Sequence, residues 1–113
     1  AARNGAGARA PDIFFVALGD QARARALVLA SGLRRKGLFV DQDLRGGGLK
    51  GQMRRADKTG ARFTVVLGEA ELASGRARLK HMASGEEREV ALDALFEEIS
   101  AAPVPQSQPQ EAR

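Results

Sequence analysis

The chain has 113 residues, with 18 Lys and Arg against 14 Asp and Glu, and neither cysteine, tyrosine nor tryptophan. That length holds one domain with a core, and the missing cysteine excludes disulfide scaffolding and cysteine-based zinc sites. No apolar run approaches the ~18 residues of a membrane span, and the Ala/Gly/Arg start lacks the apolar segment of a signal peptide, so a cytoplasmic protein without membrane contact is expected.

Residues 1–10 are small, polar and basic, as a flexible linker is. Asp12 to Leu18 is a continuous apolar run rich in strand formers, which predicts a central strand covered on both faces. Gly19 ends it, and the Asp20 carboxylate is placed to cap a first helix over Gln21 to Lys36. Ala22, Ala26, Leu29 and Leu33 form that helix's inner stripe, and Gly37 supplies the turn after it. A second strand follows from Leu38 to Asp43 or Leu44, a second helix from Gly48 to Thr59, and a third strand from Arg62 to Leu67. Arg76, Arg78 and Lys80 then alternate with Ala77, Leu79 and His81, the period of a half-exposed strand. Ser84-Gly85 turns the chain, and Glu87 and Glu89 return on a fifth strand opposite those cations. A last helix carries Leu92, Leu95, Phe96 and Ile99 on one face before Pro103, and residues 103–113 are too polar to order themselves. The pattern is α/β: βαβαβ followed by ββα, a five-stranded mixed sheet with three parallel strands first, in three layers flanked by three helices. The folded domain is expected over 11–102.

Charge is unevenly spread. Gln21 to Lys80 holds fourteen basic and five acidic residues, whereas His81 to Arg113 holds two and seven. A polyanion is therefore expected to dock on the central region.

Within that region, Gly46-Gly47-Gly48 leads into a basic amphipathic helix. Leu49, Met53 and Ala56 are spaced to pack inward, leaving Lys50, Arg54 and Lys58 on another face. Backbone N–H groups at such a helix start attract an oxyanion, and phosphate is the natural one. The run Gly46 to Gly51 also satisfies G-x-G-x-x-G with Glu69 about 20 residues on. It follows the second strand, however, and the chain soon turns antiparallel, which argues against a dinucleotide site. No Gly-Lys-Ser/Thr ends the run, as a P-loop requires. His81 has no nucleophile to serve, and Glu69 with Glu71 lack further metal partners.

The segment LKGQMRRADKTGARFTVVLGEAEL resembles the C-terminal anticodon-binding domain of class II aminoacyl-tRNA synthetases, and ADKTGA followed by LGEAEL is most similar to the histidyl-tRNA synthetase version. The likeness extends more loosely from Pro11 to Ala101. It implies a module that positions tRNA(His) for aminoacylation by a separate catalytic domain, where ATP and magnesium act; this chain itself is expected to be non-catalytic and to need neither cofactor nor metal. The start Ala1-Ala2-Arg3 without methionine, and the absence of class II catalytic motifs, suit an excised domain of a longer parent, itself expected to be a homodimer. In the family the anticodon is read after the second strand, after the third, and on the fourth. Those places fall on Arg45 and Gly46, on Glu71, and on Lys80. Lys50 and Arg54 join them as phosphate contacts. Gly46 stands where some sister synthetases place a polar residue, and Arg45 is the substitute. Carboxylate and lysine suit the edges of unpaired bases; the bland alternative for Glu71 is a loop ion pair with Arg76 or Lys80. With no Tyr or Trp, only Phe39 and arginine planes are left for stacking. The rival reading is a synthetase-like protein-interaction or regulatory module that does not read tRNA, and a third, resting on the glycine run alone, is a small nucleotide-binding enzyme domain.

Overall fold

The computed structural model describes residues 10–43 and 45–101. The linker expected over 1–10, apart from Ala10, and the tail over 103–113 lie outside them. Five strands, β1 (Ile13–Ala17), β2 (Val40–Gln42), β3 (Phe63–Leu67), β4 (Arg76–His81) and β5 (Glu87–Ala91), form one sheet in the order β2-β1-β3-β4-β5. The first three are parallel and the last two antiparallel, as the alternation of apolar and glycine-bounded segments predicts.

Four helices pack on the sheet: α1 (Asp20–Arg35), α2 (Leu49–Thr59), α3 (Glu69–Ser74) and α4 (Leu95–Ala101), the last preceded by a single 3-10 turn at Leu92–Ala94. Helix α3 joins the expected three. No helix among the described residues is long and apolar enough to cross a membrane.

The two faces of the sheet are covered unequally. Ile13, Phe15, Val40, Phe63, Val65, Leu67, Ala77, Leu79 and Val90 point to one side, where Ala22, Ala26, Ala30 and Leu33 of α1 and Leu95 and Ile99 of α4 bury them, with Leu72 of α3 at the margin. Small residues on α1 let the helix lie close to the strands. On the opposite face α2 is the helix that packs among the described residues. It packs Ala56 and the flank of Met53 onto Phe14, Val16 and Val66, which leaves the outer part of β4 and β5 open with the charged residues Arg76, Arg78, Glu87 and Glu89 exposed.

Two local expectations change. Asp20 is the first residue of α1 and ion-pairs with Arg23, while Gly19 holds the N-cap position without a side-chain cap. The inward line of α2 runs through Gln52 and Ala56, both fully buried, whereas Leu49 is 49% exposed. Leu49 opens the helix and overhangs the sheet's end, so burial passes to the polar residue three places on.

Both sheet edges are guarded. On β2 alternate residues turn their backbone groups outward, here Val40 and Gln42. Arg34 donates to the Val40 carbonyl through Nη2 at 2.9 Å and Nε at 3.3 Å, and the Asp41 carboxylate accepts the Gln42 N–H at 2.8 Å. On the other edge, Glu87, Arg88 and Glu89 are all exposed.

Candidate nucleic-acid interface

Residues 45–48, which lead into α2, have a definite shape because the strands end unevenly. Beside β2 the last pair of β1 is Phe15 with Gln42, yet beside β3 the pairing reaches Ala17 with Leu67. Ala17 therefore turns its N–H and C=O toward a strand that has already left. Gln52 takes that strand's place: its Oε1 accepts from Ala17 N–H at 3.1 Å and its Nε2 donates to the Ala17 carbonyl at 2.8 Å. The second amide hydrogen goes to the Gly47 carbonyl at 2.8 Å. A buried amide so satisfied stabilises, whereas an apolar residue there would deprive three backbone groups of their partner.

Asp43 fixes the other side of the loop. Its side chain is 7% exposed and its Oδ1 accepts the Arg45 N–H at 2.9 Å, the two-residue reach of an Asx turn. Arg45 also donates from Nε at 3.2 Å and Nη2 at 3.3 Å, and Arg55 ion-pairs with Oδ2 while its Nη2 donates to the Gly46 carbonyl at 3.0 Å. The hydrogen bonds from Arg45 hold the Asp43 carboxyl below the ordinary aspartate range, against the opposing effect of burial. Gly46 and Gly47 have φ of 79° and 98°, a region that other residues enter only with strain. An open cleft of about 410 Å³ lies beside the network, with Phe14, Thr59, Asp41, Arg45 and Arg55 in its wall.

Of the residues expected to touch RNA, Lys50 and Arg54 are exposed on α2 together with Lys58, and among the described residues none of the three has an ion pair. Arg45 is 77% exposed but tethered. Gly46 is buried, with its carbonyl taken by Arg55, so it shapes the loop and presents no group outward. Lys80 is half-buried on the open sheet face, opposite Thr64 on one side and Glu87 on the other. Glu71 sits in the first turn of α3, not in a loop, and its Oε1 accepts the Gly68 N–H at 2.8 Å. That is the carboxylate half of a capping box, and it replaces the expected ion pair with Arg76 or Lys80. Arg76 turns to Glu89 at 3.6 Å, and Lys80 has no ion pair among the described residues.

These positions are not gathered into one pocket. Arg45 lies past the end of β2 and Glu71 in the first turn of α3 after β3, with β1 between those strands, while Lys80 lies on β4 opposite Thr64. They border a surface rather than enclose a ligand. His81 stacks on Phe63 with ring centroids 5.1 Å apart and meets the Ser84 hydroxyl at 2.9 Å, a structural role. Phe39 is 37% exposed, while Phe14, Phe15 and Phe63 are core.

Gln52, Asp43 and Arg55 were missed by the sequence reading. The Asp43-x-Arg45 turn signature was visible in principle; nothing local marks Gln52, because its partners are 35 residues away.

Comparison with known proteins gives this geometry a family. The anticodon binding domain family model matches residues 12–102. The histidine–tRNA ligase of Acetivibrio thermocellus is 45% identical over 89 residues, covering 79% of this chain and 21% of that protein; that of Geobacter metallireducens is 50% identical over 86 residues, covering 76% and 21%. The chain thus spans about a fifth of the curated relatives it matches. The fold superposes on apo histidyl-tRNA synthetase from S. aureus with a TM-score of 0.76 at 41% identity, covering 80% of this chain and 26% of that one. An RNA binding domain of threonyl-tRNA synthetase from Cryptosporidium parvum, TM-score 0.73 at 17% identity over 80% of this chain and 23% of that one, shares the fold. The chain belongs to the anticodon binding domain family, in the form carried by histidyl-tRNA synthetases.

Proposed function

We propose that the chain binds the anticodon arm of tRNA(His) and holds it for aminoacylation by a separate catalytic domain, the ATP- and magnesium-dependent chemistry residing there. The observation that carries this is the row Lys50, Arg54 and Lys58, exposed and, among the described residues, without ion pairs on the helix that packs on the second face of the sheet. Cations left free on the outer side of a helix suit a phosphate backbone, which fixes register without reading sequence. Arg45, Glu71 and Lys80, carried by three different elements, suit separate unpaired nucleotides. Gly46 acts only by shaping the loop beside Arg45. On the other side of the sheet, Leu27 and Val28 of α1 are 46% and 63% exposed and offer an apolar side for the catalytic domain, and through it for a second copy of a dimeric parent in the cytoplasm.

Titration of this chain with a tRNA(His) transcript at two ionic strengths tests the reading. Affinity should fall steeply with salt, because counterions leave the RNA as cations replace them. Salt-independent binding, or none at low salt, overturns it. Pyrophosphate exchange with histidine and ATP should be absent, and its detection in the pure chain would move catalysis here.

A further inference from the structure

We propose that Gln52 is a positioning residue for RNA binding: one buried amide sets the Arg45–Gly48 loop in its binding shape before RNA arrives. The inference rests on the tRNA reading above. Each Nε2 hydrogen has a different task. One replaces the missing strand at the Ala17 carbonyl, and the other holds the Gly47 carbonyl. The end of the central strand and the glycine loop are thus tied through a single rigid group with no exposure.

The loop needs such a tie. Two successive glycines at positive φ cost the most conformational entropy to order, and three glycines in a row have no side chains with which to pack. Gln52 from within and Arg55 from the side, through the Gly46 carbonyl, supply the missing restraint from a helix whose free face carries Lys50 and Arg54. A ligand contacting both helix and loop then meets a surface already ordered, and the cost of ordering is not deducted from binding.

Gln52→Met has nearly the same shape and the same charge, and removes both tethers. Arg55→Lys keeps the charge but loses the fork that reaches the Gly46 carbonyl and Asp43. Association and dissociation of a tRNA(His) transcript are measured for the parent chain and both variants at one low salt concentration. The dissociation rate does not depend on how much protein is folded, so a simple loss of stability leaves it unchanged. Dissociation should quicken roughly tenfold for Gln52→Met and less for Arg55→Lys, with association nearly constant because steering follows charge. An unchanged dissociation rate in Gln52→Met, with only the active fraction reduced, overturns the proposal. If that variant does not fold, Arg55→Lys decides by the same criterion. Failure of the parent chain itself to bind sinks the tRNA reading and this inference with it, an outcome distinct from either.

Discussion

Arginine–carboxylate groups stand at both edges of the sheet, made of the same residue types and built to opposite effect. At the β2 edge, one carboxylate with 7% exposure holds two guanidiniums and a backbone N–H. At the β5 edge, Arg76–Glu89 and Arg78–Glu87 face each other at 3.6 and 3.7 Å with side chains roughly half exposed. Burial decides which group matters. Removing one partner of a desolvated pair leaves an uncompensated charge, whereas water replaces a partner at the surface almost without loss. The first group shapes a loop; the second leaves its face adjustable.

The largest expected break in that contrast is Asp43→Ala. It strands Arg55 and frees the turn, at a cost of about 3 kcal/mol, the lower end of the range for a buried pair because Arg45 reaches water. Urea unfolding of the chain measures it; a loss as small as that of a hairpin variant would erase the distinction. Acid should mimic the mutation. Because the folded-state pKa of Asp43 lies below its unfolded value, its contribution is complete above pH ~4 and is lost as pH falls through the folded pKa. The parent chain should thus lose more stability than Asp43→Ala between pH ~5 and ~2, read from paired urea curves.

Glu71 comes next. Its bond to Gly68 N–H gives Glu71→Ala a stability loss of about 1 kcal/mol, whereas Glu71→Gln keeps an acceptor oxygen and should lose less. If the carboxylate also accepts from an anticodon base, Glu71→Gln should still lower discrimination between tRNA(His) and an anticodon-swapped variant. Unchanged discrimination in both would leave Glu71 a helix cap and pass base reading to Arg45 and Lys80.

Smallest is the hairpin. A double-mutant cycle on Arg78 and Glu87 should give a coupling of ~0.5 kcal/mol or less that disappears in 1 M salt. A large, salt-resistant coupling would place the two edges in the same class.

What the sequence disclosed follows the range of its signals. The continuous apolar runs at 13–17 and 63–67 and the alternation at 76–81 give strands, pairing sense and the Arg–Glu ladder directly. Helix α3 escaped because six residues do not complete two turns, so no periodicity develops; Glu71 three places after Gly68 and Gly75 at the end were its only marks. The basic face of α2 was legible from spacing, since exposure needs no partner. Its buried face was misassigned to Leu49 because hydrophobicity cannot register an amide whose partners, Ala17 and Gly47, become neighbours only when β1 outruns β2. Asp43 and Arg55 are likewise twelve residues and a helix turn removed from any pattern that pairs them.

The guarded edge at β2 bears on how the domain behaves in company. A bare edge strand offers its backbone as a template on which a second polypeptide can lay itself, and one such addition exposes the next. Here the Val40 carbonyl is occupied by Arg34 and the Gln42 N–H by Asp41, so a newcomer would have to displace an arginine and a carboxylate before making its first bond. Copies crowded together at high concentration are thereby kept from growing into an endless sheet from this side, and the work is done by two side chains.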